Sequence, residues 1–290
     1  MHGKTWHYLD TGASEAAFNM AVDEVLLGKM GAPGACPILR FYTWSRPAIT
    51  IGYFQGVQDV FDLEAIEANG WSFVRRLTGG RAVFHNDELT YSVLLPHDAP
   101  QAAGDVLESY KSLSRGLMAG LRNLGVEAEL VSPPRKGMGP RGSAARSANC
   151  FASSSWYEIQ VGGRKLVGSA QRRMSHGILQ QGSILVSTGQ FDKFFQVLLR
   201  RGQESTGLSK GGEGARMTSL MDVTKRPVDL AEAKRAILEG FAETYQIRFE
   251  TVNLSDADEM AAGELVRGRY GRKDWNLLRK SHSLKRRNTK

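Results

Sequence analysis

The sequence predicts an α+β fold, a mixed β-sheet flanked by helices. Short runs of β-branched and aromatic residues interleave with segments of helical period. Some strand candidates are joined by tight turns and others by helices, which calls for both antiparallel and parallel neighbours. No internal repeat of fixed period runs through the 290 residues, a length that suits one large domain or a domain with a small appendage.

Trp6 to Leu9 reads as a strand. Ser14 is a candidate N-cap for a helix reaching Met30, with Ala17, Met20, Ala21 and Val25 at helical spacing. Ile38–Trp44 and Ala48–Tyr53 read as strands about a turn at Ser45-Arg46-Pro47. Asp59–Asn69 is a short helix stopped by Gly70. Phe73–Arg76 and Glu88–Leu95 are strands on either side of a glycine-containing connection. Val106–Leu124 is an amphipathic helix ended by Gly125, and Val126–Val131 follows as a strand. Residues 132–149 carry Pro, Gly, Arg and Ser with almost no apolar side chains and read as a mobile loop. Trp156–Val161, Lys165–Ser169 and Ile178–Val186 are three strands in quick succession. A helix over Gln190–Leu199, a glycine-rich loop over Ser205–Arg216, a helix over Leu230–Tyr245, a strand near Arg248 and a helix over Asp256–Arg267 complete the ordered part.

The formal charge of +8 is concentrated. Six Lys or Arg and no acid lie between Arg279 and Lys290. Arg135, Lys136, Arg141 and Arg146 lie between Ser132 and Asn149, again without an acid. Charge alone permits a nucleic-acid binder, but no nucleic-acid motif accompanies it, and acidic protein partners account for it equally well. The tail from Arg279 also reads as a disordered solubilising extension. No apolar run of membrane-spanning length occurs, and the first ten residues lack the apolar core of a secretory signal. Two cysteines, Cys36 and Cys150, are too few for a disulfide framework or a zinc site, so a reducing cytoplasm is the expected compartment and no metal is expected.

Four segments carry candidate chemistry. Arg75-Arg76-Leu77-Thr78-Gly79-Gly80-Arg81-Ala82-Val83-Phe84-His85 lies between two strands. Paired glycines let backbone amides approach a carbonyl or anion, and Arg75, Arg76 and Arg81 add cationic donors; a plain Gly-Gly hairpin with solvated arginines has the same pattern. Cys150 follows the basic loop and precedes a strand, a setting in which a thiolate is accessible and favoured, although a lone cysteine is more often a small buried hydrophobe. Cys36, between Ala35 and Pro37, reads as structural. Lys165 follows the Gly162-Gly163 turn, as a solvated edge charge or as an ammonium aimed into a pocket. Gly182 interrupts Leu179–Leu185, by a bulge or by close backbone approach.

In this order, these segments resemble the family of biotin protein ligases, lipoate-protein ligases and lipoyl-pathway octanoyltransferases. The arginine pair with Thr-Gly-Gly-Arg-Ala-Val-Phe-His and the following Glu88–Val93 resemble its ligand-binding loop and next strand. Gly163–Gln171 resembles its lysine motif. Asn19–Glu24, Ile51–Gln55 and the Tyr270-Gly271 to Trp275-Asn276 ending resemble further family segments, so the likeness spans roughly residues 5–276. Arg81 stands where the ATP-dependent ligases have a third glycine. Cys150-Phe151, followed by Ser155-Trp156-Tyr157-Glu158, resembles the octanoyltransferase branch.

The resemblance implies a catalytic domain over residues 1–254 with its core at about 33–248, a C-terminal helical element over 255–278 and a basic tail over 279–290. It implies an enzyme that moves octanoyl from acyl carrier protein to a lysine of a lipoyl domain such as the glycine cleavage H protein, with no cofactor. Cys150 would carry the acyl group as a thioester, and Lys165 would lower the thiol pKa and orient the carbonyl. Arg76, Gly79, Gly80, Arg81, His85, Gly168, Ser169 and Gly182 would line the substrate site. His85 reads either as a hydrogen-bonded structural residue or as a base. An ATP-dependent lipoate-protein ligase and an amidotransferase acting between lipoyl proteins are the alternatives.

Overall fold

A computed structural model describes residues 4–57, 61–131, 158–189, 191 and 217–279. Cys150, the stretch 132–149, the expected helix over 190–199 apart from Phe191, the stretch 205–216 and the tail beyond Arg279 lie outside the described residues.

Eleven strands occur among these residues: β1 (Lys4–Ser14), β2 (Ile38–Trp44), β3 (Ala48–Ile51), β4 (Ser72–Arg75), β5 (Val83–His85), β6 (Glu88–Leu95), β7 (Glu129–Val131), β8 (Glu158–Val161), β9 (Arg164–Met174), β10 (Gly177–Leu185) and β11 (Ile247–Thr251). The α-helices are α1 (Ala16–Lys29), α2 (Leu63–Ala68), α3 (Val106–Asn123), α4 (Leu220–Thr224), α5 (Leu230–Tyr245), α6 (Asp256–Leu265) and α7 (Lys273–Leu278). Eight strands form one sheet in the order β11-β1-β2-β6-β10-β9-β8-β7. β11, β1 and β2 run parallel and the remaining neighbours antiparallel, so the sheet is mixed. β4-β3-β5 form a second sheet that the sequence reading did not separate from the first.

Local chemistry explains most boundaries. Asp105 and Glu108 close a reciprocal capping box at the start of α3, and Ser255 with Asp258 does the same for α6. Asp62 caps α2 by accepting from Ala65 N (2.9 Å). Ser14 ends β1 instead of capping α1: the N-cap position is Glu15, whose side chain makes no capping bond. Asn19 in α1 donates to the carbonyls of Ser14 (3.3 Å) and Thr43 (2.9 Å), tying the helix start to β2.

The alternation of each strand sorts its side chains between two faces. Leu39 and Phe41 of β2, Leu89, Tyr91, Val93 and Leu95 of β6, and Ile178 and Ile184 of β10 pack with Leu113, Leu117 and Leu121 of α3 and Ile237 and Phe241 of α5. On the other face, Ile38, Tyr42 and Trp44 meet Met20, Ala21 and Leu27 of α1, joined by Tyr270 and Trp275 from the C-terminal segment.

That segment packs against α1 and the end of β4. Lys29 pairs with Asp258, and Tyr270 donates to Glu24 (2.6 Å), fastening α1 to residues 256–270. Arg75 Nε and Nη2 donate to the carbonyls of Trp275 (3.1 Å) and Asn276 (3.0 Å), while Trp275 Nε1 donates to Arg75 O (2.9 Å). Burial first, then the neighbouring Arg279, brings the Arg75 guanidinium pKa down to about 10. No helix among the described residues is long and apolar enough to cross a membrane.

Candidate active site

Arg76 organises the glycine loop. Its Nε donates to Thr78 Oγ1 (3.1 Å), Nη1 to Thr50 O (3.1 Å) and Oγ1 (3.0 Å), and Nη2 to Gly79 O (2.7 Å) and Arg81 O (2.8 Å). Those contacts use every N–H of a guanidinium, so Arg76 holds the loop in shape while also lining the pocket. Gly80 sits at φ 91°, a left-handed conformation a side chain would resist. A Cβ on Gly52 would stand 2.0 Å from Gly80 O, so these two backbones need the bare glycine to meet.

Beneath the loop lies a cavity of about 60 Å³. Its wall includes Met20, Tyr42, Trp44, Val83, His85 and Gln181, together with Lys165, Gly168, Ser169 and Gly182. Thr50, Arg76, His85, Thr90, Gln181 and Ser183 of this wall belong to one connected network. Glu88 Oε1 accepts from Thr90 (2.5 Å), His85 Nδ1 (2.6 Å) and Trp44 Nε1 (3.2 Å), and Oε2 accepts from Ser183. Burial alone would raise the Glu88 pKa; the adjacent imidazole and the hydroxyl donors outweigh it and hold the carboxyl below its ordinary value. His85 Nε2 lies 2.8 Å from Thr50 Oγ1, and the ring stacks on Trp44 with centroids 4.1 Å apart. Both ring nitrogens are therefore engaged with the protein, the arrangement of a structural histidine.

The second half of the network centres on Asp23. Its carboxylate accepts from Arg40 Nη1 (2.7 Å), Ser92 (2.7 Å) and Gln181 Nε2 (2.5 Å). Gln181 Oε1 accepts in turn from Thr78 (2.9 Å), which links the buried Asp23–Arg40 pair to the glycine loop.

Lys165 reaches the pocket through a break in strand alternation. Ile159 and Gln160 on β8 pair with Val167 and Lys165 on β9, so one step on β8 faces two on β9. This bulge at Leu166 turns Lys165 away from the face of Val167 and onto the face of Gly168. Lys165 Nζ donates to Glu158 Oε1 (2.8 Å), with the side chains 3% and 8% exposed. Gly182 pairs in regular register with Tyr91 and Ser169. It contains no bulge; a Cβ there would lie 2.3 Å from the Tyr91 ring, so the close approach is by Tyr91.

A family model for the lipoyl protein ligase A/B catalytic domain matches residues 15–242. The chain belongs to this family. Proteins named octanoyltransferase LipM are 39% identical in Carboxydothermus hydrogenoformans, 42% in Kyrpidia tusciae and 35% in Bacillus subtilis. The matches cover 94%, 94% and 96% of this chain and 98%, 98% and 100% of those relatives. Among solved structures, a lipoate-protein ligase A bound with ATP has a TM-score of 0.73 at 26% identity, covering 96% of this chain and 99% of that one. A bipartite lipoate protein ligase from Thermoplasma acidophilum, with a TM-score of 0.77 at 24% identity and the same coverage, shares the fold. Relatives named octanoyltransferase, alike over nearly the whole chain, make it an enzyme, an acyltransferase.

The glycine loop and the strand bearing Lys165 meet at this cavity. Arg76, Gly80, His85, Lys165, Gly168, Ser169 and Gly182 line a single cavity, and Gly79 lies in the loop above it. Arg81 accepts from Arg76 through its carbonyl. Arg75 points to the C-terminal segment. Cys36 Sγ donates to Thr5 O (3.2 Å), and burial pushes its thiol pKa up, which fits a structural role. Met20, Asp23, Glu88, Glu158 and Gln181 lie within the motif segments of the sequence but carried no role of their own there, and Tyr42, Trp44 and Thr50 lie outside those segments. A run of Glu88, Thr90 and Ser92 at every second position was the available signal, since three polar residues on one side of a central strand need buried partners.

Proposed function

We propose that the chain is an octanoyltransferase of lipoate biosynthesis that carries the acyl group on Cys150 and transfers it to a lysine of a lipoyl domain. The observation that carries this reading is a buried ammonium, Lys165, on the wall of a narrow cavity that Met20, Tyr42, Trp44 and Val83 also line. Such an enclosure suits an acyl tail with its carbonyl at the charged end. The octanoyltransferase relatives, alike over nearly the whole chain, support the same acyl group.

The donor is octanoyl thioester on acyl carrier protein. The Cys150 thiolate attacks the carbonyl carbon, and collapse of the tetrahedral intermediate expels the carrier thiolate. Lys165 favours the thiolate and the oxyanion by its charge. The neutral ε-amine of the acceptor lysine then attacks the acyl-enzyme, the carbon–sulfur bond breaks, the nitrogen releases a proton and Cys150 is regenerated. One thioester replaces another at little cost and the amide is more stable than either, so neither nucleotide nor cofactor is required. The acceptor is a lipoyl-domain protein such as the glycine cleavage H protein, the basic stretch 132–149 attracts acidic partners, and the reaction belongs to the cytoplasm.

Intact-mass measurement after incubation with octanoyl-carrier protein, without nucleotide, tests this. The expected result is a gain of one octanoyl group that Cys150→Ser abolishes. Full activity of Cys150→Ala with free acid and ATP would instead make the chain a ligase.

A further inference from the structure

Lysine is a poor instrument for holding a charge at one point, because four rotatable bonds separate its ammonium from the backbone. In this chain four features restrict Lys165. The bulge at Leu166 aims the side chain at the pocket face. Glu158, buried on the neighbouring strand β8, accepts from Nζ at 2.8 Å, and Gln160 Nε2 donates to the other carboxylate oxygen (3.3 Å). Lys165 O accepts from Thr218 N (2.9 Å), which fixes the backbone at the bend. Finally, the side chain lies across Gly168: a Cβ at that position would stand 2.9 Å from Lys165 Cε and 3.2 Å from Nζ. The bare Cα of Gly168 therefore leaves room for the present path of the lysine side chain, from which a Cβ would push Cε and Nζ aside.

We infer that Glu158 is a positioning residue: with the bare Cα of Gly168, it holds the Lys165 ammonium at the point where the acyl carbonyl is bound and attacked. The inference rests on the proposed role of Lys165 and adds how that role is achieved. An ordinary structural ion pair would need no bulge to bring it to the pocket and no glycine to clear its path. Displacement of a fixed charge by about 1 Å costs on the order of a hundredfold in rate when that charge stabilises a transition state.

The test is a double-mutant cycle on the full chain, read as the single-turnover rate of Cys150 acylation at saturating octanoyl-carrier protein. Glu158→Gln is expected to slow acylation by roughly ten- to a hundredfold with the half-saturating donor concentration little changed. In a Lys165→Met background the same substitution is expected to have no further effect, because its target is gone. Equal slowing by Glu158→Gln in both backgrounds would overturn the inference. Gly168→Ala provides an arm that leaves both charges in place: it is expected to push Cε aside and slow acylation by less than Glu158→Gln does, and a wild-type rate in a folded Gly168→Ala protein would also overturn the inference. The outcomes separate from failure of the underlying reading. If Lys165→Met acylates at the wild-type rate, the role of Lys165 is wrong; if Lys165→Met is slow while folded Glu158→Gln and Gly168→Ala are not, only the positioning is wrong.

Discussion

On one face of the eight-stranded sheet the central strands present Phe41, Leu89 and Ile184, covered by α3 and α5; on the other they present Arg40, Thr90 and Ser183 beneath α1 and the glycine loop. The same strands supply both faces. The apolar face is held by burial, which is non-directional and tolerates imprecise neighbours. On the other face, beside the apolar contacts of α1 with Tyr42 and Trp44, two carboxylates, Asp23 and Glu88, hold donors that must stand in fixed directions. The first stabilises the sheet, and the second sets the shape of a cavity within it.

Substitutions that affect the two faces differently would sharpen this contrast. The largest effect is expected from Asp23→Ala, which leaves the Arg40 guanidinium buried without its carboxylate. A loss of about 3–5 kcal/mol, read from a urea unfolding midpoint, is the expected outcome. Leu117→Ala, on the apolar face, is expected to cost about 2–5 kcal/mol while leaving the kcat and KM of the folded protein near wild type. A selective loss of activity in that variant would break the division of labour. Thr78→Val removes the bridge between Arg76 and Gln181. It should cost about 1–3 kcal/mol, but lower kcat/KM by roughly tenfold or more, the reverse of Leu117→Ala.

The smallest effect concerns pH. The folded-state pKa of Glu88 lies below its ordinary value, so its contribution to stability is present above about pH 4.5 and is lost as pH falls below that toward the depressed value. Unfolding midpoints measured between neutral and acid pH should show this loss, and Glu88→Gln should reduce the acid slope.

Most strands and the long helices were legible because their apolar residues repeat at period 2 or 3.6, as in β6 and α3. β5 and α7 were not, since three and six residues show no period; α2, as short as α7, was legible through its Gly70 stop. The Trp275-Asn276 ending was legible as a motif, but its purpose required the fold: it closes on Arg75, two hundred positions away in the chain. Gly182 shows the same limit, because a strand glycine reveals an approach without naming the partner, here Tyr91.

By itself the sequence determined the α+β class, the order of the motifs and the family, because these depend on local pattern and residue identity. Only the tertiary structure decided that Arg76 spends its donors on the loop, that both nitrogens of His85 are engaged, and that Lys165 faces the pocket. Strand alternation would have sent Lys165 to the face of Val167. A one-residue bulge against β8 reverses it, and such a register is set by pairing between strands that no single strand encodes.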